Sequence, residues 1–305
     1  MEGFVDLLAL RILISILGVI GNTTLIISIL QIKQLKSFEI FLLGLSVANL
    51  EEIIIVDIYD ILLLRYSYRI TAWTCRGLKF LMLSGEICSI LFTVLISIYR
   101  YQKLHDIQRR ANLPVFMDGS RASFILTIFC MAIAIVFSMP LFFVDMNWSR
   151  TNSSSLVCPA DIFECKVAKC PSQIYKYTFL LVCNLLPLLI VTLTSVLIVR
   201  ILLIQQRAVR ARHTQVVSTT TKTMAQRRPN KSRLQRSTMA ILAAMMLFQL
   251  NWSVYLILHL SWNPYTFPLW SEMEFFITTF YTAISPYIYG IGNNLFSVKR
   301  LLGLM

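Results

Sequence analysis

Seven long, mostly apolar stretches constrain this chain more than anything else in it. They fall at about 8–31, 38–64, 76–101, 122–145, 175–204, 235–260 and 268–291 of the 305 residues. A helix needs about 20 mostly apolar residues to cross a hydrocarbon core. Only helices and closed barrels satisfy every backbone group in lipid, and these runs are far longer than barrel strands. The second stretch is interrupted by Glu51, Glu52, Asp57 and Asp60, the seventh by Glu272, Glu274 and Pro286. The fold expected is an all-α membrane protein, one seven-transmembrane bundle over residues 1–305. The first apolar run continues past Gly21 to Leu30, with no basic leader or small-residue cleavage site, so the first helix is expected to act as its own insertion signal.

Composition agrees with that solvent. The chain is 57% hydrophobic and 14% charged, against roughly 45–50% and about 25% in soluble domains. Disorder, a collagen-like repeat and a soluble nucleic-acid-binding domain are excluded. The net charge of +13 is then a question of topology, because basic loops stay cytoplasmic. With the N-terminus outside and the C-terminus inside, 19 of the 28 Lys and Arg fall on the cytoplasmic side. Ten of them lie between Arg200 and Arg236, in a region with no Asp or Glu. Such a loop suits anionic lipid or an acidic cytoplasmic partner. A multi-pass plasma-membrane protein is expected.

Four of the seven cysteines, Cys75, Cys158, Cys165 and Cys170, fall outside in this topology, where disulfides persist. Cys75 is expected to bridge to one of the other three, and sequence alone does not choose which. Cys88, Cys130 and Cys183 lie within spans and read as small packing residues. Two glycosylation acceptors, Asn147 and Asn152, occupy the same outer loop.

Polar groups inside a span are costly and mark function by default. Asn22, Asn49, Glu86, Arg100, Asn184 and Asn251 are the main ones. No His/Asp/Glu set has metal spacing, no nucleophile stands with a base, and the three His are scattered. No enzyme, no metal and no cofactor are expected. Glu52 and Glu86 are the first ligand-site candidates. Glu86, Met82 and Lys79 share one helical face, and Glu52 shares a broad face with Asn49, Tyr59 and Asp60. Asp57 and Asp60 are expected to meet loop cations such as Arg65, Arg69 or Arg76.

These residues together resemble the rhodopsin-like G-protein-coupled receptors over nearly the whole chain. Gly21-Asn22 stands where that family has its first-span Gly-Asn. Tyr99-Arg100-Tyr101 matches the third-span Asp/Glu-Arg-Tyr motif, with Arg100 25 residues after Cys75. Pro187 fits the fifth-span proline, Phe248-x-x-x-Trp252 the sixth-span aromatic switch, and Ser285-Pro286-x-x-Tyr289 the seventh-span Asn-Pro-x-x-Tyr. A short amphipathic surface helix over 293–303 is implied to follow. The departures are equally specific. Asn49 replaces the second-span aspartate that helps hold sodium, and Tyr99 replaces the acid beside Arg100. No acid lies near Leu234 to make an inner salt bridge, and Val254 replaces the sixth-span proline. The run Leu35 to Leu45 resembles the second-span start of vomeronasal type 1 and bitter taste receptors. Ile284-Ser285-Pro286 is similar to the seventh span of the vomeronasal type 1 receptors, and Ile87 to Arg100 to their fish relatives, the class-A-related olfactory receptors.

That resemblance implies an olfactory or pheromone receptor without catalysis, binding a small odorant-like molecule in the outer half of the bundle and activating a heterotrimeric G protein. The implied ligand residues are Glu52, Asp60, Met82, Glu86, Phe179, Cys183, Trp252, Tyr255, His259, Phe275 and Thr278. The implied activation and coupling residues are Asn22, Asn49, Tyr99, Arg100, Phe248, Trp252, Pro286 and Tyr289. The rival readings are a bitter taste or other orphan rhodopsin-like receptor and, in a different class, a seven-span transporter or channel. The last predicts a continuous polar path and internal repeat symmetry, and no repeat is present.

Overall fold

The computed structural model describes residues 2–60, 71–109, 119–143, 149–150, 156–157, 171–216, 228–261 and 270–296. Within them α1 spans Glu2–Leu30, α2 Ser37–Asp60, α3 Ala72–Arg109 and α4 Ser120–Ser138, the last followed by a 3-10 turn at Met139–Phe142. Pro171–Phe179 (α5) runs through a π-helical segment, Leu180–Leu185, into Leu186–Val216 (α6). Arg228–Ser261 (α7) and Trp270–Gly292 (α8) complete the bundle. A two-residue antiparallel ribbon, Ser149–Arg150 (β1) with Leu156–Val157 (β2), is the one sheet element among the described residues. The α5–α6 pair forms one span, so seven helical spans make an all-α bundle.

The helices close into a ring. α1 packs on α2 and α8, α2 on α3, and α8 on α7, while α3 runs through the middle against α2, α4, α6 and α7. Five spans carry a stretch long and apolar enough to cross a membrane. The second and seventh are not among them, and these are the two whose runs are broken by carboxylates. Their polar groups are turned inward instead: Asn49, Glu52 and Thr282 are buried. The apolar side chains of α4, including Phe124, Ile125, Ile128 and Phe129, are conversely exposed along one face. That inside-out pattern suits a helix facing lipid, where an apolar surface costs nothing.

A glycine explains how α1 and α8 come so close. A Cβ on Gly21 would stand 2.7 Å from the Tyr287 ring, so α1 and α8 could not approach as they do with any other residue there. Tyr287 uses that closeness to donate to the Leu17 carbonyl at 2.7 Å. On Gly85 a Cβ would lie 3.4 Å from Cβ of Glu52, an ordinary van der Waals distance, so the approach of α2 and α3 beside Glu86 does not require a glycine. The π segment precedes Pro187, which has no N–H to give to the carbonyl four residues back. Leu186 donates instead to Leu181, a wider turn that shifts the phase of everything before it.

Two elements differ from expectation. Residues 293–296 form a turn rather than the first turn of a surface helix, and 297–303 lie outside the described residues. The helices also overrun the apolar stretches, α3 continuing to Arg109 and α7 beginning at Arg228. α7 runs unbroken through Val254, which is exposed.

Candidate functional site

The candidate site divides into three layers, named here by position along α3: Cys75 near its start, Ser89 in the middle, Arg100 beyond.

In the first layer Glu86 is 4% exposed, and its Oε1 has no hydrogen-bond partner. Tyr255 of α7 hydrogen-bonds to the carboxyl. Cys183 and Tyr175 of the fifth span, Glu52 of α2 and Glu274 of α8 lie within electrostatic reach of it. Four spans thus converge on one carboxyl group. A buried polar atom left without a partner costs roughly 1–3 kcal/mol. Such an orphan is retained where something else supplies the missing bond. Above it an aromatic ladder climbs α7. Phe248 and Trp252 have ring centroids 6.0 Å apart, Trp252 and Tyr255 5.0 Å, Tyr255 and His259 4.2 Å. His259 Nε2 lies 3.7 Å from Glu274 Oε1. Spacings of three and four residues put these rings on one face of α7. Trp252 Nε1 and both amide atoms of Asn184 are also buried without partners among the described residues.

The predicted ligand residues do not all belong here. Trp252, Tyr255, His259, Cys183, Glu86 and Glu52 meet. Phe179 is fully buried in the same span as Cys183, and Met82 is half-buried. Thr278 is buried but spends its hydroxyl on its own helix, at the carbonyls of Glu274 and Phe275. Phe275 faces α1, with the Arg11 guanidinium 4.0 Å over its ring. The side chain of Asp60 lies outside the described residues, as do Asn147, Asn152, Cys158, Cys165 and Cys170. Cys75 is disulfide-bonded.

Asp57 has partners on α1 that the sequence does not suggest. Its carboxylate accepts from Ser15 of α1 at 2.7 Å and sits in the field of Arg11, while Arg65 and Arg69 lie outside the described residues. Arg76 donates to the Phe142 carbonyl. The helical phase of α2 turns Asp57 toward α1, where Arg11 is 8% exposed and bonds Glu272 of α8 at 3.0 Å. Spans one and seven are tied there by a part-buried ion pair that the sequence reading missed, and span two joins them through Asp57 and Ser15. Its signal was a lone arginine between Leu10 and Ile12 in an apolar run.

The middle layer is a neutral network. Asn22 Nδ2 donates to the Gly18 and Thr282 carbonyls at 2.9 and 3.0 Å. Asn49 Nδ2 reaches Asn22 Oδ1 at 3.4 Å and Ser285 Oγ at 3.2 Å, while Ser89 Oγ donates to Asn49 Oδ1 at 2.7 Å. Thr93 and Tyr281 share a 2.7 Å hydrogen bond below it. With Asn49 an amide, the network is satisfied by protein groups alone and carries no charge for a cation to balance.

In the third layer Tyr99 turns to α2, edge-on to Phe41 at 6.1 Å. Arg100 is 9% exposed, with its guanidinium 3.9 Å over the Phe38 ring. No carboxylate pairs with it among the described residues. Its Nη2 donates to Asn293 Oδ1 at 3.2 Å. Tyr289 and Phe248 are fully buried nearby in the core, Phe248 with Tyr281 at 5.5 Å.

No curated protein matches this chain. The profile of the seven-transmembrane receptors of the rhodopsin family matches residues 21–289. That match takes in most of the residues described above, from Asn22 to Tyr289, while Arg11, Ser15 and Asn293 fall outside it. The family is a receptor class rather than an enzyme class, and this multi-pass membrane chain belongs to the rhodopsin family of seven-transmembrane receptors.

Proposed function

We propose that the chain is a chemosensory receptor, of olfactory or pheromone type, that binds a small molecule around Glu86 and activates a heterotrimeric G protein. The observation that carries the ligand site is the unpartnered Glu86 Oε1 among Tyr255, Cys183, Tyr175, Glu52 and Glu274, from four spans. Its chemistry favours a ligand that donates a hydrogen bond, through a hydroxyl or an ammonium group, and stacks on the α7 aromatics. The Cys75 end is read as extracellular, because the basic residues gather at the other. Cys75 then pairs with Cys158, Cys165 or Cys170, and Asn147 and Asn152 carry glycans. The chemosensory assignment rests on the resemblance of the Leu35–Leu45, Ile87–Arg100 and Ile284–Pro286 segments.

Binding would favour one packing of the α7 ladder over another, and only that difference in affinity shifts the population. The shift reaches the Thr93–Tyr281 pair through Phe248, and Arg100 is then freed for the G protein. The test is a screen of steroids, bile acids, amines and small aromatic acids on cells expressing the chain, read as second-messenger response. A hit lost in Arg100→Ala at equal surface expression supports the reading. Hits that signal equally through Arg100→Ala contradict it.

A further inference from the structure

Asn293 does more than end a helix. The last turn of α8 closes as a Schellman motif: Leu295 N–H reaches back to the Gly290 carbonyl at 2.8 Å and Asn294 N–H to Ile291 at 3.3 Å. Asn294 takes the left-handed conformation the motif requires, at φ 55°. The Phe296 ring folds onto Gly290, where any Cβ would collide with it. Asn293 is thereby fixed at the helix end, with Nδ2 donating to the Tyr289 carbonyl at 2.8 Å. Its Oδ1 takes two donors from two other spans, Arg100 Nη2 of α3 at 3.2 Å and Ser237 Oγ of α7 at 2.6 Å. The amide orientation is forced by chemistry. Arginine can only donate and a carbonyl can only accept, so Oδ1 must face Arg100 and Nδ2 must face Tyr289.

We propose that Asn293 is a positioning residue for G-protein coupling, whose side-chain oxygen clasps Arg100 of α3 to Ser237 of α7 and holds the receptor silent. It takes the part a carboxylate on α7 would play, in a chain with no acid there. The proposal rests on Arg100 being the coupling residue. α7 cannot leave α3 without breaking the Ser237 bond, the Arg100 bond, or both. Arg236 of α7 adds a weaker tie at the same place, to the Ile291 carbonyl at 3.3 Å. Hydrogen bonds to a charged group are the stronger kind, and this one is partly buried.

The test is ligand-free nucleotide exchange on a panel of purified heterotrimers, using membranes that carry the full chain, normalised to receptor at the surface. Asn293→Ala raises exchange about tenfold or more, the effect of losing one charge-assisted bond on a two-state balance. Asn293→Asp keeps an acceptor for both Arg100 and Ser237, and stays at or below the wild-type level. Ser237→Ala, which removes one arm, raises exchange as well. Unchanged exchange in Asn293→Ala at normal surface level overturns the proposal, as does an equal rise in Asn293→Asp. If Asn293→Ala does not reach the surface, unchanged exchange in Ser237→Ala overturns it. A second readout separates the clasp from the coupling reading. Spin labels at the exposed positions of Arg121 on α4 and Met239 on α7 report whether the helix ends part. Labels that part in Asn293→Ala with no exchange on any heterotrimer uphold the clasp and refute the coupling role. Labels that stay put with exchange unchanged refute the clasp.

Discussion

Single residues carry both the proposed ligand chemistry and the cost of keeping it. Glu86 is held with one oxygen unbonded, and Glu86→Gln keeps its shape while replacing a carboxyl oxygen with an amide donor. Ligand potency is expected to fall about tenfold, within the roughly 1–3 kcal/mol cost of leaving a buried hydrogen-bonding group unpaired. Dose–response curves against an active compound from the screen check this, and unchanged potency removes Glu86 from the site. Arg11 and Glu272 make the opposite kind of claim, about stability. Breaking a buried pair by removing one partner costs about 3–5 kcal/mol, whereas replacing both can be near neutral. Glu272→Gln should therefore lower the melting temperature of detergent-solubilised receptor more than the double change Arg11→Met/Glu272→Gln does. A double variant less stable than Glu272→Gln would show that the pair is not the source. Glu86 was legible in the sequence because a carboxylate stands alone in a hydrophobic span. Arg11 was equally legible in principle, but its partners, Glu272 and Asp57, come from spans 261 and 46 residues away. Spacing says nothing about such pairs.

Helix phase, more than helix position, decides which of the predicted residues meet. Trp252, Tyr255 and His259 were expected together and are stacked together, because α7 is regular there and a 3.6-residue period is reliable. Phe275 was expected in the same cavity and faces Arg11 instead, since the phase of α8 is set by its packing on α1 at Gly21. In the fifth span the π segment breaks the period outright. Pro187→Ala restores the missing N–H and lets Leu180–Leu185 return to α geometry. That change turns Tyr175 and the rest of α5 about the helix axis relative to α6. Its expected result is a loss of ligand response at near-normal surface expression, checked by surface labelling beside the dose–response curve. An unchanged response would mean the π turn does not set the pocket. Gly21→Leu belongs to the same scale. Its side chain has no room against Tyr287, so α1 must move off α8, and surface expression should fall sharply. The turn at 293–296, by contrast, was not legible. A surface helix is the reading an apolar tail invites, and only the left-handed Asn294 and the bonds of Leu295 show that α8 ends there.

At the scale of the whole molecule, the seven-helix architecture was written in the hydropathy of the chain, including its two weak spans. Among the carboxylates that weaken spans two and seven, Glu52 is buried and Glu51, Asp57, Glu272 and Glu274 are half-buried. What hydropathy could not supply is the order in which polar groups stack through the bundle: an orphan carboxylate, a neutral Asn22–Asn49–Ser285 network, then an arginine held by an amide. The three layers are linked through Phe248, which touches Trp252 above and Tyr281 below. The proposed signalling requires that a molecule bound at the first layer be felt at the third. The most direct measurement is nucleotide exchange on purified heterotrimers, in membranes carrying wild type, Glu86→Gln or Arg100→Ala, across a dose series of a compound active in the screen. The expected result is a saturable rise in wild type, a curve displaced to higher concentration in Glu86→Gln, and no rise in Arg100→Ala. Curves for Glu86→Gln and Arg100→Ala that overlay the wild type would contradict it.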